Sequence, residues 1–167
     1  MLKECEDALL KHPGNIVEIG AGLGETTKHL LKLAHKYDRK VIVIDPFEHG
    51  WNEMAESYGK PYPLEGFHQN VKEHKDRLVI HQINSLSCEA EIVCENENIA
   101  FAFIDGLQYK GAVLNDLYIA YGAYVICIDD ADRLTPQSQV PLALERYNEL
   151  TKSKRELTIK GRWAFIK

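Results

Sequence analysis

Short runs that are apolar throughout recur along the chain: Val41-Ile42-Val43-Ile44, Leu78-Val79-Ile80, Ile99-Ala100-Phe101-Ala102-Phe103-Ile104 and Ala123-Tyr124-Val125-Ile126-Cys127-Ile128. Between them lie longer stretches whose apolar positions repeat at helical spacing. Runs without a polar alternate suit strands covered on both faces, and strand alternating with helix implies a parallel sheet. The pattern predicts a leading helix over 2–11, stopped by His12-Pro13-Gly14, and then strand 15–19, helix 25–37 and strand 40–45. Helix 68–75, strand 77–83, helix 86–96, strand 99–104, helix 110–121 and strand 123–128 follow. A helix over 138–150 and two closing strands, 155–160 and 162–167, complete the chain. The expected fold is α/β: a doubly wound, Rossmann-like, mostly parallel sheet of seven strands with an antiparallel last strand and helices on both faces.

Residues 46–67 interrupt the alternation. Pro46, Gly50, Gly59, Pro61, Pro63 and Gly66 predict a loop or broken helix, which also carries Phe47, Trp51, Tyr58, Tyr62 and Phe67. A loop of this length is often a lid or binding loop. Its aromatics either cover a ligand or fold back into a satellite hydrophobic cluster, and the sequence favours neither.

A chain of 167 residues with 45% hydrophobic residues suits one globular domain spanning 1–167. Its formal charge of −5 argues against a nucleic-acid partner. No window is apolar enough to cross a membrane, and Lys3, Glu4, Glu6 and Asp7 interrupt any signal-like start. Cys5, Cys88, Cys94 and Cys127 form no C-x-x-C pair, so they read as reduced thiols in a cytoplasmic setting. Nothing bars a homo-oligomer.

The chemistry begins where the first strand ends, at Glu18-Ile19-Gly20-Ala21-Gly22-Leu23-Gly24. Glycines at such a turn let backbone approach a ligand, or only permit tight packing of the chain. Asp45 ends the second strand, at about the 20-residue distance where such folds place an acid on ribose hydroxyls. A dinucleotide-binding turn reads G-x-G-x-x-G, with pyrophosphate on the helix N-terminus. Here the third glycine comes one residue early, and Glu25 would repel a pyrophosphate. With Glu18 ahead of the first glycine, the site suits a nucleoside with a cationic end, such as S-adenosylmethionine. Asn84 and Ser85, beyond the third strand, are placed to contact the adenine edge.

Ligands gather at the carboxyl ends of such strands. Asp105 ends the fourth strand and Asp129-Asp130 the fifth, so the three acids are expected to converge. Clustered carboxylates repel unless protonated or bridged, and oxygen ligands suit magnesium, calcium or manganese. Neutralising one of them in the metal-free protein is then expected to stabilise the fold or leave it unchanged. The competing reading leaves Asp105 alone in the pocket, with Asp130 and Asp132 capping the next turn or solvated.

The Glu18-to-Gly24 run followed by Asp45 resembles motifs I and II of the class I S-adenosylmethionine-dependent methyltransferases. Phe103-Ile104-Asp105-Gly106-Leu107-Gln108-Tyr109-Lys110-Gly111, with Leu114-Asn115-Asp116-Leu117 beyond, is similar to the F-I-D-G-x-H-x-Y-E…D-L segment of the macrocin O-methyltransferase-like group. Ile128-Asp129-Asp130 resembles that group's acidic motif. The resemblance covers roughly residues 14–131 and implies magnesium on Asp105, Asp129 and Asp130. It departs at Gln108, where relatives carry histidine, and at Lys110, where they carry glutamate. Glutamine takes no proton, which leaves the general base unassigned. Of the seven histidines, only His49 and His68, flanking the aromatic loop, are candidates for proton transfer.

The expected function is methyl transfer from S-adenosylmethionine to an oxygen of a small-molecule acceptor, with a divalent cation such as Mg2+ assisting. Gly20, Gly22 and Gly24 hold the methionine end, Glu18 or Asp105 meets its amino group, and Asp45 takes the ribose. Asp105 is the candidate catalytic residue. A non-catalytic S-adenosylmethionine-binding protein and a nicotinamide-dependent oxidoreductase are the alternatives, the latter disfavoured by Glu25.

Overall fold

The computed structural model describes residues 1–47, 62–135, 138–151 and 155–167. Among these, helix α1 (Leu2–Lys11) precedes β1 (Asn15–Ile19), α2 (Thr27–Lys36) and β2 (Val41–Ile44). Then come α3 (Leu64–Asn70), a single 3-10 turn at Lys75–Arg77, β3 (Leu78–His81), α4 (Cys88–Glu95) and β4 (Ile99–Ile104). Helix α5 (Lys110–Ile119), β5 (Val125–Ile128), α6 (Val140–Thr151), β6 (Leu157–Lys160) and β7 (Trp163–Ile166) finish the order. The sheet runs β3-β2-β1-β4-β5-β7-β6. Pairing is parallel from β3 through β5, and β7 lies antiparallel to both β5 and β6. The seven-stranded, doubly wound expectation therefore holds.

Alternate strand residues feed two separate cores. Val17, Ile19, Ile42, Ile44, Ala102, Ile104 and Ile126 pack with Ala90 of α4, Val113 and Leu117 of α5, and Leu144 of α6. Ile16, Val41, Val43, Phe101, Phe103 and Cys127 pack on the other face with Leu9 of α1 and Leu30, Leu31 and Ala34 of α2. Because both faces are covered, β1, β2, β4 and β5 are buried along nearly their whole length. This is why their sequences read as continuous apolar runs.

The chain leaves β1 in one direction for β2 and β3, and returns through β4 to the other side. The resulting switch point lies between β1 and β4, and the register lines up its four strand ends. Ile19 pairs with Ile44 and with Ile104, and Ile104 pairs with Ile128. The residues that follow, Asp45, Gly20, Asp105 and Asp129, therefore form one row across the carboxyl edge of the sheet, where ligands bind in open α/β folds.

Helix α3 differs from the helix expected at 68–75. It starts after Pro63, whose missing N–H and fixed φ suit a helix entrance, and it ends at Val71. His74 then adopts a left-handed φ of 60° before the short 3-10 turn. Phe47 and Phe67 are buried and meet edge-on, with centroids 5.2 Å apart, so these two aromatics join the core. Tyr62 is half exposed. Trp51, Tyr58 and His49 lie outside the described residues, as do the other residues of 48–61.

Candidate active site

The glycine turn is held from three sides. Gly20 donates its N–H to Ile44 O at 3.0 Å, Asp105 donates to Ile19 O at 2.8 Å, and Gly24 donates to Ala21 O at 2.8 Å. The Asp45 carboxylate adds a fourth support: Oδ2 accepts Ala21 N at 2.7 Å and Gly22 N at 3.0 Å, and Oδ1 accepts Phe47 N at 2.7 Å. All three glycines have positive φ, but only two are explained by packing. A Cβ on Gly20 would lie 2.5 Å from the backbone of Asp105 and Gly106, and one on Gly24 would lie 2.8 Å from Val71 Cγ1. Among the described residues Gly22 has the ring of Tyr62 opposite, at 3.3 Å. Packing among the described residues thus accounts for Gly20 and Gly24 and leaves Gly22 as the bare backbone of the turn.

Glu18 points to the α2 side of the sheet and is fully buried. Its Oε2 accepts the Thr27 hydroxyl at 2.6 Å, and its Oε1 has no hydrogen-bond partner among the described residues. Burial pushes its pKa up to about 8; the Thr27 bond opposes the shift, while Asp105 and Asp45 add to it. Asp105 is pushed up to about 7, first by burial and then by Asp129 and Asp130, with Arg162 pulling the other way. The turn is thus bordered by Glu18, Asp45 and Asp105, an acidic surround that does not suit an anionic pyrophosphate. An orphaned buried carboxylate oxygen and an open glycine suit S-adenosylmethionine, whose amino and sulfonium groups are cationic.

Asn84 and Ser85 lie in the turn after β3. Asn84 Oδ1 accepts Leu86 N at 3.0 Å, and Ser85 O accepts the Asn115 amide at 2.8 Å. Asp116, on the same helix as Asn115, is wholly buried beneath Gly106, with Oδ2 3.4 Å from where a Gly106 Cβ would stand. Burial raises its pKa to about 7, with Ser85 and Asn115 countering.

The acids after β5 differ most from expectation. Asp129 and Asp130 are buried and carry guanidinium partners. Arg162 grips Asp129 in a two-pronged fork, Nε to Oδ1 at 2.5 Å and Nη2 to Oδ2 at 2.6 Å, and its Nη2 also reaches Asp130 Oδ1 at 3.0 Å. Gln108 Nε2 donates to Asp130 Oδ2 at 2.6 Å, and Arg133 Nε lies 3.3 Å from Asp130 Oδ1. The three acids therefore do not converge on a cation. Among the described residues no group of three or more His, Cys, Asp or Glu side chains is arranged to hold a metal ion. The expected set of Asp105, Asp129 and Asp130 does not fit a divalent cation as it stands, because Asp129 and Asp130 are already neutralised by guanidinium. Of the competing reading, Asp132 is solvated as expected, whereas Asp130 is not.

Sequence reasoning missed Arg162 and Arg133. Arg162 follows Gly161, whose φ of +60° makes the two-residue turn between β6 and β7. Pairing of Ile128 with Ala164 brings that turn to the level of Asp130. A closing hairpin inserted beside β5 was the available signal, but from sequence alone the strand next to β5 is not specified. Gln108, at the position where the resembled group carries histidine, serves as a donor to Asp130. His68 sits on α3, edge-on to Phe67 with centroids 5.9 Å apart. Between the ends of β4 and β5 a small recess opens, lined by apolar Leu107, Val113 and Val140 and by polar Asp105, Gln108 and Asp129.

Solved methyltransferases share this architecture. CalS11, a TDP-rhamnose 3'-O-methyltransferase of calicheamicin biosynthesis, matches in its apo structure with a TM-score of 0.72 and 17% identity, over 99% of this chain and 77% of that one. The O-methyltransferase from Bacillus cereus, solved with SAH, gives 0.62 at 16% identity, over 99% and 79%. TomG from Streptomyces achromogenes, solved with SAM, gives 0.61 at 14% identity, over 99% and 77%. At these identities the likeness is one of fold. No curated protein matches the chain. The family model of a methyltransferase domain matches residues 17–129, from the first strand to the acid after the fifth. The chain belongs to that methyltransferase-domain family, and with its strand order and glycine turn it is a class I S-adenosylmethionine-dependent methyltransferase.

Proposed function

We propose that this enzyme transfers the methyl group to an oxygen of a small-molecule acceptor, with Asp105 as general base. The observation that carries the reading is Asp105 itself, at the centre of the aligned strand ends. It borders the recess, and its pKa is raised to about 7. A base with that pKa is half ready at neutral pH, where proton transfer is most efficient. When bound, S-adenosylmethionine supplies a methyl group already activated by its sulfonium.

The chain's own residues then orient and deprotonate. Gly22 leaves room for the methionine end, with Gly20 and Gly24 shaping the turn. Asp45 fixes that turn and keeps acceptor capacity for a ribose hydroxyl. Glu18 or Asp105 answers the ligand's ammonium, and Asn84 and Ser85 border the adenine. Asp105 draws the proton from an acceptor hydroxyl brought to the carboxyl edge of the sheet. Geometry supplies much of the rate, because holding two reactants in line replaces a bimolecular encounter. The charge of −5 favours a small acceptor over nucleic acid. Four free cysteines suit a cytoplasmic enzyme, and no described helix is long and apolar enough to cross a membrane. Association into a homo-oligomer is compatible with the reading.

The test is transfer from labelled S-adenosylmethionine to a panel of phenols, sugar hydroxyls and amines, followed by mass spectrometry. Methylation of hydroxyl compounds that is lost in Asp105→Asn supports the assignment. Turnover of amines alone, or full activity in Asp105→Asn, contradicts it. Binding of S-adenosylmethionine with no acceptor turned over would favour a non-catalytic binder.

A further inference from the structure

Asp129 and Asp130 already have a cation, and it is part of the chain. A divalent ion needs several carboxylate, carbonyl or water oxygens free to turn toward it. Both oxygens of Asp129 instead accept the parallel N–H donors of one planar guanidinium. Asp130 is held by the same Nη2, by Gln108 and by Arg133. The arrangement is built into the backbone. Ala131 donates its N–H to Arg162 O at 2.7 Å, which latches the β6–β7 turn to the segment after Asp130. A second, doubly charged cation among these groups would face the repulsion of two guanidinium ions.

We propose that Arg162 is the resident cation of this site: its guanidinium takes the place of a divalent metal on Asp129 and Asp130, and methyl transfer needs no metal. Arg162 is a positioning residue. It fixes the loop after β5 that walls the recess, and its positive charge acts on Asp105. The claim of metal independence rests on the methyltransferase reading above. The claim about what Asp129 and Asp130 bind does not.

The test titrates Mn2+ alone into chelator-treated wild type, Arg162→Gln and the Arg162→Gln/Asp129→Asn double variant, read by paramagnetic resonance and calorimetry. We expect no stoichiometric site in wild type at millimolar metal. One site per chain should appear in Arg162→Gln and vanish in the double variant. A stoichiometric Mn2+ site in wild type overturns the proposal, as does an Arg162→Gln protein that gains none.

If Arg162→Gln does not fold, Asp129→Asn decides by the sign of its melting shift in metal-free buffer. An uncompensated acid cluster is relieved by that change, and its melting temperature holds or rises. A carboxylate serving as the Arg162 anchor is missed, and the melting temperature falls by about 5 °C. Calorimetry with S-adenosylmethionine is run alongside. Failure to bind it refutes the methyltransferase reading and leaves the Mn2+ result standing. Where transfer is seen, activity unchanged by EDTA agrees with the proposal, and activity abolished by EDTA and restored by Mg2+ overturns it.

Discussion

Asp45, at the tip of β2, accepts the backbone N–H of Gly22 at 3.0 Å, and the same oxygen accepts Ala21 N at 2.7 Å. The acid proposed to face the ribose thus also builds the turn proposed to receive the methionine end. Asp45→Ala removes both functions together. Hydrogen bonds to a charged group contribute about 1.5–3 kcal/mol each, so S-adenosylmethionine affinity should fall at least about tenfold. The melting temperature should fall as well, because three backbone donors lose their acceptor. Calorimetry and thermal melting read the two effects. Unchanged affinity would remove Asp45 from the cofactor site.

The three glycines should separate in the same pair of measurements. Gly20→Val and Gly24→Val drive a side chain into Gly106 backbone and into Val71, so they should lose fold stability first. Among the described residues Gly22→Val meets Tyr62, and its left-handed φ costs about 1–2 kcal/mol. It should stay folded, melting a few degrees below wild type, and fail to bind S-adenosylmethionine. Normal binding by Gly22→Val would make the turn purely structural.

Glu18 gives the fold a definite pH dependence. Its folded pKa of about 8 lies above its ordinary value of 4.5, so between those values the folded protein keeps a proton that the unfolded chain has released. Stability therefore falls as pH rises through that window, and Asp105 and Asp116, both near 7, act in the same direction. Glu18→Gln abolishes the penalty. It should raise the melting temperature by several degrees at about pH 8.5 and change it little at about pH 5. Melting curves across pH decide this, and an equal shift at both ends would show that Glu18 is not carrying the proton.

For catalysis the sign is the reverse. Asp105 works as a base only when deprotonated, so kcat/KM should climb with pH through about 7 and then level. Asp105→Asn should cost about 10²- to 10⁴-fold in kcat. A pH profile that is flat across neutrality would contradict the assignment.

Much of the fold was legible because parallel strands buried on both faces must be apolar without a break. Val41–Ile44 and Ile99–Ile104 left no other reading, and the acids or glycines that follow them mark the ligand edge. Helix α3 was misplaced because Pro63 and Gly66 read as breakers, whereas a proline just ahead of a helix is an entrance. The acids after β5 were legible as residues but not as a charge balance. Asp129 and its partner Arg162 are 33 residues apart, and only the tertiary pairing of β7 with β5 brings them together. Gln108 was likewise read for the proton it cannot take, when its amide donates to Asp130.

The most direct test of the assigned site is a crystal structure of the complex with S-adenosylhomocysteine. The account predicts the ribose against Asp45, the homocysteine backbone passing over Gly22, and the sulfur turned toward the recess beside Asp105. A ligand bound away from Gly22 and Asp105 would contradict it.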